Sequence, residues 1–150
     1  MAVERTLVIA KPDAVGKAVI GRIIDLFESQ GMRLLSMRMV RPTKAMVEGF
    51  YAEHKGRPFY EPLVAFMTSG PFIPMVWEGE DVIAKVRAVN GATNSSEAAP
   101  GTLRKMWGTD NRRNLVHASD SPASAAREIT QFFKEEELAP YDPEAWRRTT

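Results

Sequence analysis

The chain has 150 residues, 44% hydrophobic and 26% charged, with a formal net charge of +1. That is enough for one domain with a real core, read here as a single unit over 1–150, and the balanced charge argues against a general polyanion partner, so anion affinity must come from local clusters. No cysteine is present, which excludes disulfides, thiolate metal sites and thiol nucleophiles, and the only two histidines, His54 and His117, lack the paired spacing of a zinc site.

Glu4 and Arg5 precede a short apolar run, with neither the long apolar core of a signal peptide nor a span of roughly 20 apolar residues, so a soluble intracellular protein is expected. Thr6–Ala10 reads as a buried strand that ends in the turn Lys11-Pro12-Asp13. Lys11 at its mouth is either a solvated charge or a phosphate or ribose contact. Ile20, Ile23, Ile24 and Phe27 repeat as one helical face, closed by Gly31 as a C-cap. Leu35, Met37 and Met39 alternate with Ser36, Arg38 and Val40, which predicts a half-buried strand with core methionines.

Thr43 caps a short helix through Met46, Val47 and Phe50, and the loop Glu53–Pro58 follows, where His54 among charged neighbours is expected to be exposed and inert. Phe59–Met67 is the next helical pattern. Phe59 and Tyr60 at its start are packing anchors or a surface on which a base stacks. After the turn Ser69-Gly70-Pro71, Phe72–Trp77 reads as the third strand and Glu80–Val89 as a helix with Val82, Ile83 and Val86 inward. From Asn90 to Arg113 periodicity nearly vanishes, and a connection this long in a compact domain is usually functional. Its cations Arg104, Lys105, Arg112 and Arg113, following Arg87, are solvated charge or a cradle for a polyphosphate.

The most informative stretch is Arg113–Phe133. Leu115 and Val116 form the core of a short strand, Ala118–Ser121 is turn chemistry, Ser121 is the N-cap and Pro122 the first helical residue. Ala125, Ile129, Phe132 and Phe133 make one apolar face, with Glu128 on its flank near His117. A carboxylate beside an imidazole suits a nucleophile, because it fixes the tautomer and balances positive charge as it develops. After Leu138 the tail shows no core pattern and is expected to pack on a neighbour or fray. The element order fits an α+β fold, a ferredoxin-like sandwich with a four-stranded antiparallel sheet and covering helices. No Walker A pattern is present.

Asn114, His117, Ser119, Asp120 and Ser121 stand as in the active-site signature of the nucleoside diphosphate kinases, and the chain resembles that family from Val3 to about Pro140. Lys11-Pro12-Asp13, Arg57-Pro58-Phe59, Ser69-Gly70-Pro71, Trp77-Glu78-Gly79, Thr93-Asn94 and Pro100-Gly101-Thr102-Leu103-Arg104 also match in order and spacing. The resemblance implies the same fold and ping-pong transfer of a γ-phosphate from a nucleoside triphosphate to a nucleoside diphosphate, with broad base specificity that maintains triphosphate pools. It implies His117 as the phosphorylated nucleophile, Glu128 as its orienting group and Ser119 as a supporting partner. It assigns nucleotide or histidine contacts to Lys11, Tyr51, Arg87, Thr93, Arg104 and Asn114, and base stacking to Phe59. Mg²⁺ is expected to be held mainly by nucleotide phosphates, with no metal-binding residues of its own. The expected assembly is a homo-oligomer, a tetramer or hexamer, with strand Leu34–Val40 as the pairing edge. The expected location is the cytoplasm, with neither a membrane nor a specific nucleic acid as partner.

Four places depart from the family pattern. Ala118 stands where glycine is usual, Ser95 where proline is frequent, Lys105-Met106-Trp107 where Gly-Asp-Phe is common, and Asn111 where relatives place an apolar residue against the base.

Overall fold

The computed structural model describes residues 3–149. Strands β1 (Val3–Ala10), β2 (Arg33–Met37), β3 (Ile73–Glu80) and β4 (Val116–Ala118) form one antiparallel sheet in the order β2-β3-β1-β4. The expected four-stranded α+β sandwich is therefore present. Alternation along β1 sends Val8 and Ala10 to one face, where Met75 and Trp77 join Ile23, Phe27, Val82 and Val86 from the helices. Leu7 and Ile9 point to the other face, with Val76, Leu35, Val47, Val64, Ile129 and Phe132. Because both faces are covered, the central strand reads as an unbroken apolar run rather than an alternating one.

Helices α1 (Pro12–Gly16), α2 (Ile20–Ser29) and α5 (Val82–Asn90) supply side chains to the first core; α3 (Lys44–Phe50), α4 (Tyr60–Met67) and α7 (Pro122–Phe132) supply the second. Ser121 caps α7 by accepting the Ser124 N–H at 3.1 Å, worth about 1 kcal/mol, and Pro122 occupies its first turn. Thr43 does the same for α3 through Met46 N–H at 3.2 Å. Gly31 follows α2 with φ +82, the left-handed position that favours glycine.

Several boundaries and burials differ from expectation. Met37 and Met39 are not core: they are 39% and 60% exposed, while Leu35 and Val40 are buried. A register shift between Leu34 and Ser36 breaks the simple alternation of β2 against β3, and β2 is an edge strand, pairing with no second strand among the described residues. β3 runs on to Glu80, so its helix starts at Val82 after a left-handed Asp81, φ +51. The extension is held by ion pairs, with Glu78 bonded to Arg5 at 3.1 Å and to Arg33 at 3.2 Å. Within 90–113, Thr102 caps a short helix α6 (Leu103–Trp107). Ala118 closes β4 rather than opening a turn. The tail stays on its own sheet as far as Ala139, whose N–H donates to Leu35 O at 3.1 Å with Leu138 buried beside it.

Candidate active site

β4 pairs with the centre of the sheet so that His117 lies opposite Ile9, on the face covered by α3, α4 and α7. That register carries the imidazole toward α7. Nε2 lies 2.8 Å from Glu128 Oε1, which also accepts the Ser119 hydroxyl at 2.9 Å. Burial pushes the Glu128 carboxyl up, but the bonds from His117 and Ser119 outweigh it and hold the group below its ordinary range. A carboxylate accepting from both sides makes Nε2 the protonated nitrogen. Nδ1 therefore keeps the lone pair, and among the described residues nothing bonds to it. Phe50 meets the imidazole edge-on at 5.2 Å, and Tyr51 does so at 6.3 Å.

The entry to β4 is strained and clamped. Leu115, fully buried, has φ +77, a conformation that costs a non-glycine residue on the order of 1 kcal/mol. Lys11-Pro12-Asp13, at the end of the adjacent β1, grips it: Lys11 N–H donates to Leu115 O at 2.9 Å, and Asp13 Oδ2 accepts Leu115 N–H at 3.0 Å. Asp13 is a site residue whose role nothing in local sequence discloses. Lys11 Nζ donates to Asn114 Oδ1 at 2.8 Å, and Asn114 Nδ2 donates to Thr93 O at 2.9 Å, so one amide joins three segments. Burial, with Arg104 adding repulsion and Asp13 opposing, pushes the Lys11 amine down to about 8.

These groups open onto a cleft of about 410 Å³ lined by Lys11, Tyr51, Phe59, Thr93, Asn114 and His117. Six of the expected site residues thus converge. Asp110, Asn111, Arg112 and Leu63 complete the lining. Asp110 accepts from the N–H groups of Arg112 and Arg113 at 3.0 and 2.7 Å and ion-pairs with the Arg113 guanidinium, which holds its carboxyl far below the usual range. The Tyr51 hydroxyl is buried with no partner among the described residues, and burial and the Glu128 charge push its pKa up, leaving it a neutral donor.

Neither Arg104 nor Arg87 lines this cleft: Arg104 is buried beside it, and Arg87 is exposed on α5. Arg104 donates to Asn114 O at 3.1 Å, Gly91 O at 2.8 Å and Val116 O at 2.7 Å, bracing the strand that carries His117 from below. Burial and the neighbouring Arg87 push its guanidinium down to about 10. Arg87 reaches Ala118 O at 3.4 Å. His54, expected to be exposed and inert, is half-buried between the rings of Tyr51 and Phe59.

The departures are accommodated. Ala118 has no positive φ, so alanine carries no strain there. Ser95 is buried and its N–H approaches Asp110 O at 3.4 Å, a donor that proline lacks. Trp107 is half-buried under the Arg22 guanidinium, 5.8 Å from its ring.

Comparison with known proteins agrees with the geometry. The nucleoside diphosphate kinase family model matches residues 4–138. A nucleoside diphosphate kinase from Carboxydothermus hydrogenoformans is 50% identical over 139 residues, 93% of each chain. The crystal structure of the Aquifex aeolicus nucleoside diphosphate kinase superposes with a TM-score of 0.90 at 46% identity, over 92% of this chain and all of that one. A Halobacterium salinarum nucleoside diphosphate kinase in complex with CDP gives 0.92 at 40% identity, over 97% of each. With a family model spanning nearly the whole fold and a relative at half identity, this chain belongs to the nucleoside diphosphate kinase family.

Proposed function

We propose that the chain, acting as one domain over 1–150, transfers the γ-phosphate of a nucleoside triphosphate to a nucleoside diphosphate by a ping-pong route through His117. The observation that supports this most is the imidazole tied by Nε2–H to Glu128, its Nδ1 free in a cleft that also holds the Lys11 amine. In the first half-reaction Nδ1 attacks the γ-phosphorus, an N–P bond forms, the bond to the bridging oxygen breaks, and the diphosphate leaves with that oxygen. Positive charge that builds on the ring is balanced by Glu128 across the Nε2 hydrogen bond. The second half-reaction is the reverse, with another diphosphate as acceptor.

Such transfer depends mainly on positioning and on neutralising the moving phosphoryl group. Lys11 and the Tyr51 side chain line that path, Thr93 and Asn114 hold its wall, and Arg104, buried behind Asn114, and Arg87, at the end of β4, add positive charge nearby. Phe59, 43% exposed at the mouth, offers a flat apolar surface to any base, which fits broad specificity. Mg²⁺, when bound, neutralises part of the polyphosphate charge. With Glu128 and Asp110 engaged by side-chain partners, phosphate oxygens would supply most of its ligands. A cytoplasmic homo-oligomer, tetramer or hexamer, using the open edge of β2 completes the proposal, and no described helix is long and apolar enough to cross a membrane.

Incubation with γ-labelled triphosphate is expected to leave one acid-labile phosphate per chain on the native protein and none on His117→Ala. Label that persists on the alanine variant would overturn the assignment.

A further inference from the structure

His54 is the one histidine the phosphoryl-transfer chemistry leaves unused, and the fold leaves it half-buried with aromatic rings on two sides. Its ring stacks on Tyr51 at 6.2 Å and 30°, and meets Phe59 at 5.2 Å and 60°. Both neighbours line the cleft, whereas His54 does not. Tyr51 is itself buried and stands edge-on to Phe50 at 5.0 Å and to His117 at 6.3 Å. A continuous row of rings thus runs from the reacting imidazole through Tyr51 and His54 to the exposed Phe59.

We propose that His54 is a positioning residue for the nucleotide base, holding Phe59 in the orientation in which it forms the wall of the cleft; this rests on the kinase assignment above. Phe59 sits just before α4, where only its backbone is fastened: its carbonyl accepts Leu63 N–H at 3.0 Å. Its side chain has no hydrogen-bonding atom, and the one ring that meets it among the described residues is His54. His54 is well anchored for that task. Its N–H donates to Tyr51 O at 2.9 Å, its carbonyl accepts Arg57 N–H at 3.0 Å, and Gly56, at φ +89, turns the chain back so that Phe59 returns to the ring. Nε2 also lies 3.8 Å from Glu53 Oε1, and the other Glu53 oxygen is 3.8 Å from Arg127, the α7 neighbour of Glu128.

An aromatic wall already held in place binds a flat ligand without the cost of ordering it, so loss of His54 falls on nucleotide binding and leaves the chemical step unchanged. A ring contact of this kind corresponds to a change in affinity of about 3- to 10-fold. In steady-state assays at saturating triphosphate, His54→Ala is expected to raise KM for a nucleoside diphosphate by about that factor with kcat held within about twofold, and His54→Phe to restore KM. A base-free acceptor, ribose 5-diphosphate, is expected to show the same KM with all three proteins. Full labelling of His117 by saturating triphosphate in each variant verifies that the site is folded. The proposal is overturned if KM in His54→Ala is unchanged, if kcat falls instead, if the base-free acceptor weakens equally, or if phenylalanine does not rescue. Native protein that transfers no phosphate would sink the kinase assignment itself, a result distinct from all of these.

Discussion

The floor of the cleft and its mouth are built differently. At the floor most of the side chains are held by hydrogen bonds: Glu128 holds both His117 and Ser119, Asn114 joins Lys11 to Thr93, and Asp13 clamps the strained Leu115. At the mouth, Phe59, Asn111 and Arg112 are exposed, and the Phe59 ring is met by another ring rather than by hydrogen bonds. The contrast follows from what each end has to do. A phosphoryl group in flight is served by charges fixed before it arrives, whereas a base that can be any of several is served by a flat surface with little hydrogen-bond reading. Substitutions at the floor should therefore cost kcat, and those at the mouth KM.

The largest effect that tests this division is expected at Glu128. Glu128→Gln keeps the shape but removes the charge that balances the ring, and kcat should fall on the order of 100-fold with KM little changed. A KM effect alone would erase the distinction. Next is Phe59→Ala, expected to raise KM for every nucleoside diphosphate by about 10-fold at unchanged kcat, because stacking contributes equally before and during transfer.

A smaller and more diagnostic effect lies in pH. The Lys11 amine, pushed down to about 8 by burial and by Arg104, loses its charge as pH rises through that value. The free-enzyme profile of kcat/KM should then decline above about pH 8, and Lys11→Arg, which does not titrate there, should lack that limb. The stability sign runs the opposite way. Between about pH 8 and the ordinary lysine value the unfolded chain binds more protons at this site than the folded chain, so folding gains stability as pH rises across that window. Denaturant midpoints of native protein and Lys11→Met over the window measure it. The smallest effect is expected of Ala118→Gly. Position 118 is ordinary strand, so glycine should relieve no strain and instead lower stability by about 0.5–1 kcal/mol, read from thermal melts.

Much of this was legible in local chemistry. The Ser121-Pro122 start of α7, the Thr43 cap, the Gly31 stop and the apolar face of Ala125, Ile129, Phe132 and Phe133 all depend on neighbours within a turn or two, and all are present. The methionines of β2 were misread, because alternation says which residues share a face but not whether anything covers it, and a bulge on an edge strand disturbs even the alternation. His54 was misread because its charged sequence neighbours say nothing of the two rings that flank it in space.

The sequence by itself determined most of the longer elements, the fold class, and His117, Glu128 and Lys11 as the residues of interest, since periodicity, capping and motif spacing are short-range properties; it missed the short helices α1 and α6. Only the tertiary structure decided that Nε2 rather than Nδ1 is tied, that Arg104 braces main-chain carbonyls, and that Lys11 meets Asn114 from 103 residues away. Those outcomes depend on β4 docking beside β1 with His117 opposite Ile9, and a pairing register across most of the chain is settled by the closing of the sheet, not by any local pattern.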